Sequence, residues 1–211
     1  MSKGNLFIVT GPSGAGKGTV LGRLLPTMEQ LQYSVSATTR APREGEEDGV
    51  NYYFLNRNDF LNMVDRGEFL EYAEYVGNFY GTPAGPVDEC LEKGVDIGED
   101  KLTRPAKVRC LDKKEIEVQG ALTVKSKRPE AKLVFIIPPT FADLELRLRS
   151  RGSESDEVIA KRLEKAKEEY SMANHYDYIV CNGEVEQAVE ELRSIIKAAR
   201  CTVDRRINLL R

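Results

Sequence analysis

The sequence predicts an α/β fold in which a parallel sheet is covered by helices on both faces. Two observations support this prediction. Short apolar runs, typical of buried strands, alternate along the chain with segments whose apolar residues follow helical spacing. The first apolar run also leads directly into a glycine-rich loop and a helix, an order typical of parallel α/β sheets.

The first half of the chain reads as strand, helix, loop, strand, helix and a further group of strands. The second helix is predicted to follow an N-cap at Asn58 and to end at Gly67. The aromatic segment at 68–83 alternates in polarity, which indicates strands folded over a small site. The predicted ranges are 6–9 (strand), 19–25 (helix), 34–51 (loop), 52–55 (strand), 59–66 (helix) and 68–83 (strands).

The second half continues the alternation. Pro138 and Pro139 end a buried strand, and Thr140 caps the next helix with Asp143 as the partner in a capping box. The apolar residues of 185–199 follow helical spacing closely, which predicts a helix that packs on the core. The other predicted ranges are 133–137 (strand), a helix capped by Ser155 that reaches about residue 174, and 176–180 (strand).

Length and composition exclude several classes of protein. The chain has 211 residues, enough for one α/β core with attached subdomains, and its net charge of −3 argues against a general binder of nucleic acid or anionic membranes. No apolar run approaches the ~20 residues of a membrane span, and no signal-peptide pattern opens the chain. Widely spaced cysteines without a CxxC pair indicate reduced, mostly structural thiols in a cytoplasmic protein. They are Cys90, Cys110, Cys181 and Cys201.

The glycine-rich loop after the first strand fits a phosphate-binding P-loop better than an ordinary turn. A backbone without bulk can point successive N–H groups into one concavity, and the following helix adds the positive end of its dipole. Lys17 stands where a lysine reaches the outer phosphates, but Gly18 replaces the usual Ser or Thr, and the hydroxyl that could assist Mg²⁺ comes later, at Thr19. The predicted phosphate-binding residues are Gly11, Pro12, Ser13, Gly14, Ala15, Gly16, Lys17, Gly18 and Thr19.

Two arginines suggest a second anion site. Arg40 and Arg43 flank Pro42, and a turn stiffened by proline could aim both guanidinium groups at one phosphate. The alternative is a pair of solvated surface arginines. The acidic run EGEED and the tyrosines that follow make this alternative less favoured.

Four blocks follow one another along the chain: SVSATTRAPREGEEDGVNYYF, GEFLEYAEYVGNFYGTP, EIEVQGAL and IIPPT with LRLRSRGSESDEVIAKRL. In this order they resemble guanylate kinase over nearly the whole chain, from about Asn5 to Ile196. The resemblance implies transfer of the γ-phosphoryl group of ATP to GMP, giving ADP and GDP, with Mg²⁺. It also implies a P-loop sheet core (1–35, 89–139 and 171–211), a small GMP-binding subdomain (36–88) and a helical lid (140–170).

The resemblance assigns two sets of residues to GMP. A carboxylate at Glu71 suits guanine, because guanine presents adjacent N1–H and N2–H₂ donors where adenine has an unprotonated N1. The positions that grip the GMP phosphate are Arg40, Arg43, Tyr52 and Tyr80. The positions that read guanine are Ser36, Glu71, Thr82 and, from the core, Glu117.

The resemblance also assigns residues to ATP, with the P-loop. Arg151 is expected against the adenine, Asn182 is expected to contact the same base, and Arg147 and Arg162 approach the transferring phosphoryl group. Because these arginines repel one another, we expect an open lid that closes on nucleotides. Catalysis is then a matter of positioning and charge, supplied by Lys17, Arg40, Arg147 and Arg162.

The segment 98–114 departs from the family pattern, in which one continuous buried strand ends in a block like EIEVQGA. It carries six basic and three acidic residues, so we expect it to leave the core from Gly98 onward. The strand is expected to re-form at Lys114 in the same register, which would keep Glu117 at the nucleotide.

Two other functions stay open. A guanylate-kinase-like module that binds proteins without catalysis is disfavoured by the intact Lys17 and the three lid arginines, although the unusual segment mildly favours it. A P-loop kinase with another acceptor is disfavoured by Glu71 together with Ser36. The sequence does not distinguish a monomer from a homo-oligomer.

Overall fold

The computed structural model describes residues 3–100, 117–150 and 155–210. Its strands are β1 (Leu6–Thr10), β2 (Leu31–Tyr33), β3 (Ala37–Thr38), β4 (Tyr53–Phe54), β5 (Phe69–Tyr75), β6 (Asn78–Pro83), β7 (Asp96–Asp100), β8 (Lys132–Ile137) and β9 (Tyr178–Cys181). Its α-helices are α1 (Lys17–Leu24), α2 (Arg57–Asp65), α3 (Ala84–Glu92), α4 (Glu117–Lys127), α5 (Phe141–Arg149), α6 (Asp156–Ser171), α7 (Val185–Ala199) and α8 (Val203–Arg206).

The main sheet is parallel, with the strand order β2-β7-β1-β8-β9. β1 lies at its centre and is buried along its whole length. Phe7 and Val9 pack on one face with residues of α1 and α7, whereas Leu6 and Ile8 pack on the other with residues of α3 and α4. Helices therefore cover both faces, which confirms the predicted fold class. None of the helices in the described ranges is long and apolar enough to cross a membrane.

A second, smaller sheet has the order β4-β3-β6-β5 and is built around the β5–β6 hairpin. Phe60 of α2 is fully buried against it, with its ring stacked on Phe69 (centroids 4.3 Å apart) and Phe79 (5.3 Å). Phe69 and Phe79 thus form a small core of their own with Phe60 and Ala37. This confirms the predicted group of strands.

Helices α5 and α6 form a third unit with an apolar contact between them. Leu144 and Leu148 of α5 pack against Ile159 and Ala166 of α6. The predicted capping box at the start of α5 is confirmed, since the Thr140 hydroxyl accepts from the Asp143 N–H at 3.1 Å and the Asp143 carboxylate accepts from the Thr140 N–H at 3.1 Å.

Several predicted element bounds change. The N-cap of α2 is Asn56, whose side chain accepts from the Asp59 N–H at 2.8 Å, so the prediction of Asn58 was wrong. Asn58 lies inside the first turn, where its side chain cannot reach that N–H from outside the helix. The predicted loop 34–51 contains β3, and the predicted strand 176–180 begins later, as β9. The helix at Val185–Ala199 has the predicted bounds.

The expectation for the unusual segment was wrong at its beginning. Residues 98–100 stay in the sheet, because β7 continues to Asp100 and pairs with Val9 there. Strand pairing uses backbone N–H and C=O groups, which charged residues supply as well as apolar ones. Glu117 begins helix α4 rather than continuing a strand. Residues 101–116, with the expected excursion and re-entry, lie outside the described residues.

The buried carboxylate of Asp96 links the residue before β1 to the residue after α7. The Asp96 side chain at the start of β7 is 3% exposed and accepts from the Asn5 N–H at 2.7 Å and from Asn5 Nδ2 at 3.1 Å. Its other oxygen accepts from Arg200 Nε at 2.6 Å, just after α7. Arg200 also donates to the carbonyl of Glu29 at 3.0 Å. One side chain thus joins β1, β7 and the end of α7.

The variant Asp96→Asn should therefore be less stable. The amide cannot accept from all three donors, and Arg200 loses its counter-charge, so the free energy of unfolding should fall by about 2 kcal/mol. Urea unfolding measures this change. The control Glu92→Gln, whose partner Lys3 is exposed, should leave the urea midpoint unchanged. Equal midpoints for the two variants would contradict the proposed network.

Candidate functional site

The P-loop leaves the carboxyl end of β1 through a gap in which Gly11 is required. Gly11 has φ +145°, and a Cβ atom there would lie 2.0 Å from the carbonyl oxygen of Ile136 in β8. Gly16 caps α1 with φ +86°, and its Cβ would lie 2.3 Å from Nδ2 of Asn182. The loop backbone is therefore held between the ends of β8 and β9, and a side chain at either glycine would displace it.

Asn182 fixes the loop from the far side. It follows β9, is 3% exposed, and donates from Nδ2 to the Ala15 carbonyl at 2.7 Å. Its backbone N–H donates to the Ile137 carbonyl at 2.7 Å, which anchors Asn182 to β8. Its Oδ1 atom is buried without a hydrogen-bond partner in the described part of the chain. An acceptor is thus left available beside the P-loop.

Lys17 opens α1 with its side chain folded back along the loop. It is 3% exposed, and Nζ donates to the carbonyls of Gly11 and Pro12, the latter at 3.0 Å. The cation is therefore fixed where the loop begins. The remaining predicted loop residues surround it, with Ser13 and Gly14 half-buried, Ala15 buried, and Gly18 and Thr19 exposed.

Two arginines of the helical unit reach the same place. Arg162 of α6 donates from Nη1 to the Ser13 hydroxyl at 2.9 Å, and Arg147 of α5 donates from Nη2 to the Asn182 carbonyl at 2.7 Å. Their positions are thus held by acceptors of the chain itself, which the sequence analysis did not foresee. Arg151 lies outside the described residues.

The smaller sheet carries a buried carboxylate. Glu71 of β5 pairs across the hairpin with Thr82 of β6, and the Thr82 hydroxyl donates to Glu71 Oε1 at 3.0 Å. Glu71 is 6% exposed and Thr82 is 1% exposed. Ser36 precedes β3, and its carbonyl accepts from the Tyr53 N–H at 2.9 Å. The hairpin register therefore brings two of the predicted guanine-reading residues into direct contact.

The predicted phosphate-gripping residues form a neighbouring group. The guanidinium carbon of Arg40 lies 5.6 Å from the ring centroid of Tyr52, and the rings of Tyr52 and Tyr80 meet edge to face at 6.2 Å. Arg43 does not join them through its side chain, which is exposed. Glu117 is the first residue of α4.

Glu46 is a residue that the sequence analysis missed. Its carboxylate accepts from Arg40 Nη2 at 2.9 Å and from the Arg43 N–H at 2.8 Å. Burial of the carboxyl acts to raise its pKa, but the hydrogen bonds from Arg43 and Arg40 outweigh burial, and the pKa lies below its ordinary value. The signal in the sequence was its place three residues after Arg43, inside the acidic run.

In the described ranges no three His, Cys, Asp or Glu side chains cluster as metal ligands would. Thr19, the candidate hydroxyl for Mg²⁺, is exposed in the first turn of α1. Three described cysteines are free thiols: Cys90 is half-buried, and Cys181 and Cys201 are exposed.

Comparisons with known proteins point to one family. A family profile described as guanylate kinase matches residues 3–199. The chain is 48% identical to the guanylate kinase of Halalkalibacterium halodurans, covering 97% of this chain and 93% of that one. It is 48% identical to the Streptococcus pneumoniae guanylate kinase, over 96% and 91%. The crystal structure of guanylate kinase from Anaplasma phagocytophilum matches with a TM-score of 0.66, 30% identity, and coverage of 97% and 90%.

The close approach of Asn182 to Gly16 leads to a prediction with an internal control. Gly16→Ala should lower the free energy of unfolding by about 1–3 kcal/mol, because the methyl group displaces Asn182 and the φ angle is strained. Gly22→Ala, in the same helix with no atom within 4 Å of the new Cβ, should raise it by about 0.5–1 kcal/mol. Urea unfolding compares the two, and a destabilising Gly22→Ala or a neutral Gly16→Ala would contradict this geometry.

Proposed function

The chain belongs to the guanylate kinase family, and we propose that it transfers the γ-phosphoryl group of ATP to GMP, producing ADP and GDP. The observation that carries this proposal is the pairing of two sites in one fold. A P-loop with a buried lysine, Lys17, lies at the end of the main sheet, and a buried carboxylate, Glu71, lies on the smaller sheet. The first suits the phosphates of a donor nucleotide and the second suits a guanine base.

The donor site is proposed to act by positioning and charge. The N–H groups of the P-loop hold the phosphates, and Lys17 exchanges its carbonyl acceptors for outer phosphate oxygens. Arg147 and Arg162, already beside the loop, stabilise the charge that spreads over the transferred phosphoryl oxygens. The unpartnered Oδ1 of Asn182 suits the amino group of adenine. Contact of Arg151 with the adenine stays a prediction.

The acceptor site is proposed to read guanine through Glu71. Because Thr82 donates to one carboxylate oxygen, the group is held in one orientation and can accept from the adjacent N1–H and N2–H₂ of guanine. Adenine offers an unprotonated N1 at that edge, so the paired contact would be lost and two acceptors would face each other in a buried site. Ser36 and Glu117 complete the predicted set. The phosphate of GMP is proposed to be bound by four side chains that can donate hydrogen bonds: Arg40, Arg43, Tyr52 and Tyr80.

Mg²⁺ is proposed to accompany ATP. When bound, it neutralises phosphate charge. Thr19 is the protein hydroxyl that could hold it, with the remaining ligands supplied by phosphate oxygens and water.

Several further expectations stay predictions. They are the subdomain bounds 36–88 and 140–170, lid closure, the cytoplasmic location, and the absence of nucleic-acid and membrane partners.

The two alternatives differ from this proposal in what they require of buried groups. A module that only binds proteins has no need for a lysine fixed inside a phosphate loop or for arginines aimed at it. A kinase with another acceptor base has no need for a buried carboxylate oriented by a hydroxyl. Both observations favour catalysis on GMP.

A coupled assay tests the proposed function. With ATP as the donor, we expect GMP to be phosphorylated about 100-fold or more faster than AMP, CMP or UMP at equal concentrations, because those bases lack the paired donors. ADP release coupled to oxidation of NADH measures the rate. A preference for another acceptor would support the second alternative, and no turnover with any acceptor would support the binding module.

A substitution of the base-reading carboxylate separates recognition from folding. Glu71→Gln should lower kcat/KM for GMP by about 10- to 100-fold, because the amide presents N–H groups to the guanine donors, and should leave the KM for ATP unchanged. Glu74→Gln on the same strand, at a side chain that is 49% exposed, is the matched control and should behave as wild type. Equal kinetics for the two variants would exclude Glu71 from base recognition.

A further inference from the structure

The acceptor-side arginines share one carboxylate. Glu46 lies in the connection between β3 and β4, and its side chain is 8% exposed. Nη2 of Arg40 lies 2.9 Å from both of its oxygens, Oε1 and Oε2. The Arg43 N–H donates to Oε2 at 2.8 Å, and the Glu46 N–H donates back to the Arg43 carbonyl at 3.0 Å. The same carboxylate therefore fixes one arginine by its side chain and the other by its backbone.

The Arg40 side chain is ordered by several contacts that leave some of its N–H donors available. Nη1 donates to the Ala41 carbonyl at 2.6 Å, and the guanidinium lies over the rings of Tyr52 (5.6 Å) and Phe54 (5.7 Å). Nε is buried and has no hydrogen-bond partner among residues 3–100, 117–150 and 155–210. A guanidinium has five N–H donors, so donors remain for a further anion.

Burial costs Glu46 part of its solvation, and the hydrogen bonds from Arg40 and Arg43 compensate for that cost. The carboxyl stays ionised because those contacts lower its pKa despite burial. A long arginine side chain loses rotamer entropy when it is ordered. If the site orders the side chain before the ligand arrives, that entropy is not lost on binding, and the ligand binds more tightly. An exposed acid in the same run, Glu44, is not placed to do this.

We propose that Glu46 is a positioning residue that sets the Arg40 guanidinium and the 43–46 turn to receive the phosphate of the acceptor nucleotide. This inference rests on the proposed function, because it takes GMP as the acceptor. Glu46 does not touch the nucleotide. It acts through Arg40 and through the backbone at Arg43, and its effect is confined to ligands that carry a phosphate.

The variant Glu46→Gln tests this role. The amide keeps the shape but loses the charge and one acceptor oxygen, so the KM for GMP should rise about tenfold or more while kcat and the KM for ATP stay within about twofold of wild type. Calorimetry should show weaker binding of GMP but unchanged binding of guanosine, which lacks the phosphate. Glu44→Gln, two residues away, is the control and should match wild type in all of these.

A double-mutant cycle tests whether Glu46 acts through Arg40. In an Arg40→Met background, Glu46→Gln should raise the KM for GMP by less than half the factor seen with Arg40 present. An unchanged KM for GMP in the single variant, or equal losses for GMP and guanosine, would overturn the inference. Failure of the wild-type chain to phosphorylate GMP would instead overturn the proposed function, so the two failures are distinguishable.

Discussion

The backbone of the P-loop occupies a gap too narrow for side chains, and the rest of the site depends on that constraint. The loop lies between the end of β8, where Gly11 approaches the Ile136 carbonyl, and Asn182 after β9. The carboxyl ends of neighbouring parallel strands meet at one edge of a sheet, which is where α/β proteins build ligand sites. Lys17 and Arg162 are then positioned by hydrogen bonds to this loop, and Arg147 is positioned by a hydrogen bond to Asn182.

The charges of the site are local features of a weakly acidic chain. Beside the P-loop, Lys17 and Arg147 donate to carbonyl oxygens of the chain, and Arg162 donates to the Ser13 hydroxyl. On the acceptor side, by contrast, Arg40 is paired with Glu46, and Glu71 is paired with a neutral hydroxyl donor. The fold thus places three cationic side chains beside the P-loop and two oriented carboxylates on the side of the smaller sheet.

Local signals predicted the parts of the fold that depend on local chemistry. The helix Val185–Ala199 follows from its apolar spacing, and the start of α5 follows from the reciprocal bonds of Thr140 and Asp143. β3 was missed because two residues are too short for any periodicity. Asn56 and Asn58 are equally good caps in isolation, and the choice between them depends on which residue packs inward, here Phe60.

The site was predicted by resemblance and P-loop chemistry, but its contacts were not. The bond between Glu71 and Thr82 requires the hairpin register, and the clamp of Asn182 on Ala15 joins residues 167 positions apart. Glu46 was missed because its role depends on hydrogen bonds from Arg40 and from the backbone of Arg43, which form only in the folded turn. Residues 98–100 remained in the sheet because backbone pairing tolerates the charges that argued for their exclusion.

The central claim is that two nucleotide sites face each other so that one phosphoryl group can pass between them. The most direct test is calorimetric titration with adenosine and guanosine joined 5′ to 5′ through five phosphates, which spans both sites at once. The account predicts one ligand per chain, with an affinity about 100-fold or more above that of ATP alone and above that of the analogue with two adenosines. An affinity no greater than that of ATP, or equal affinities for the two analogues, would contradict it.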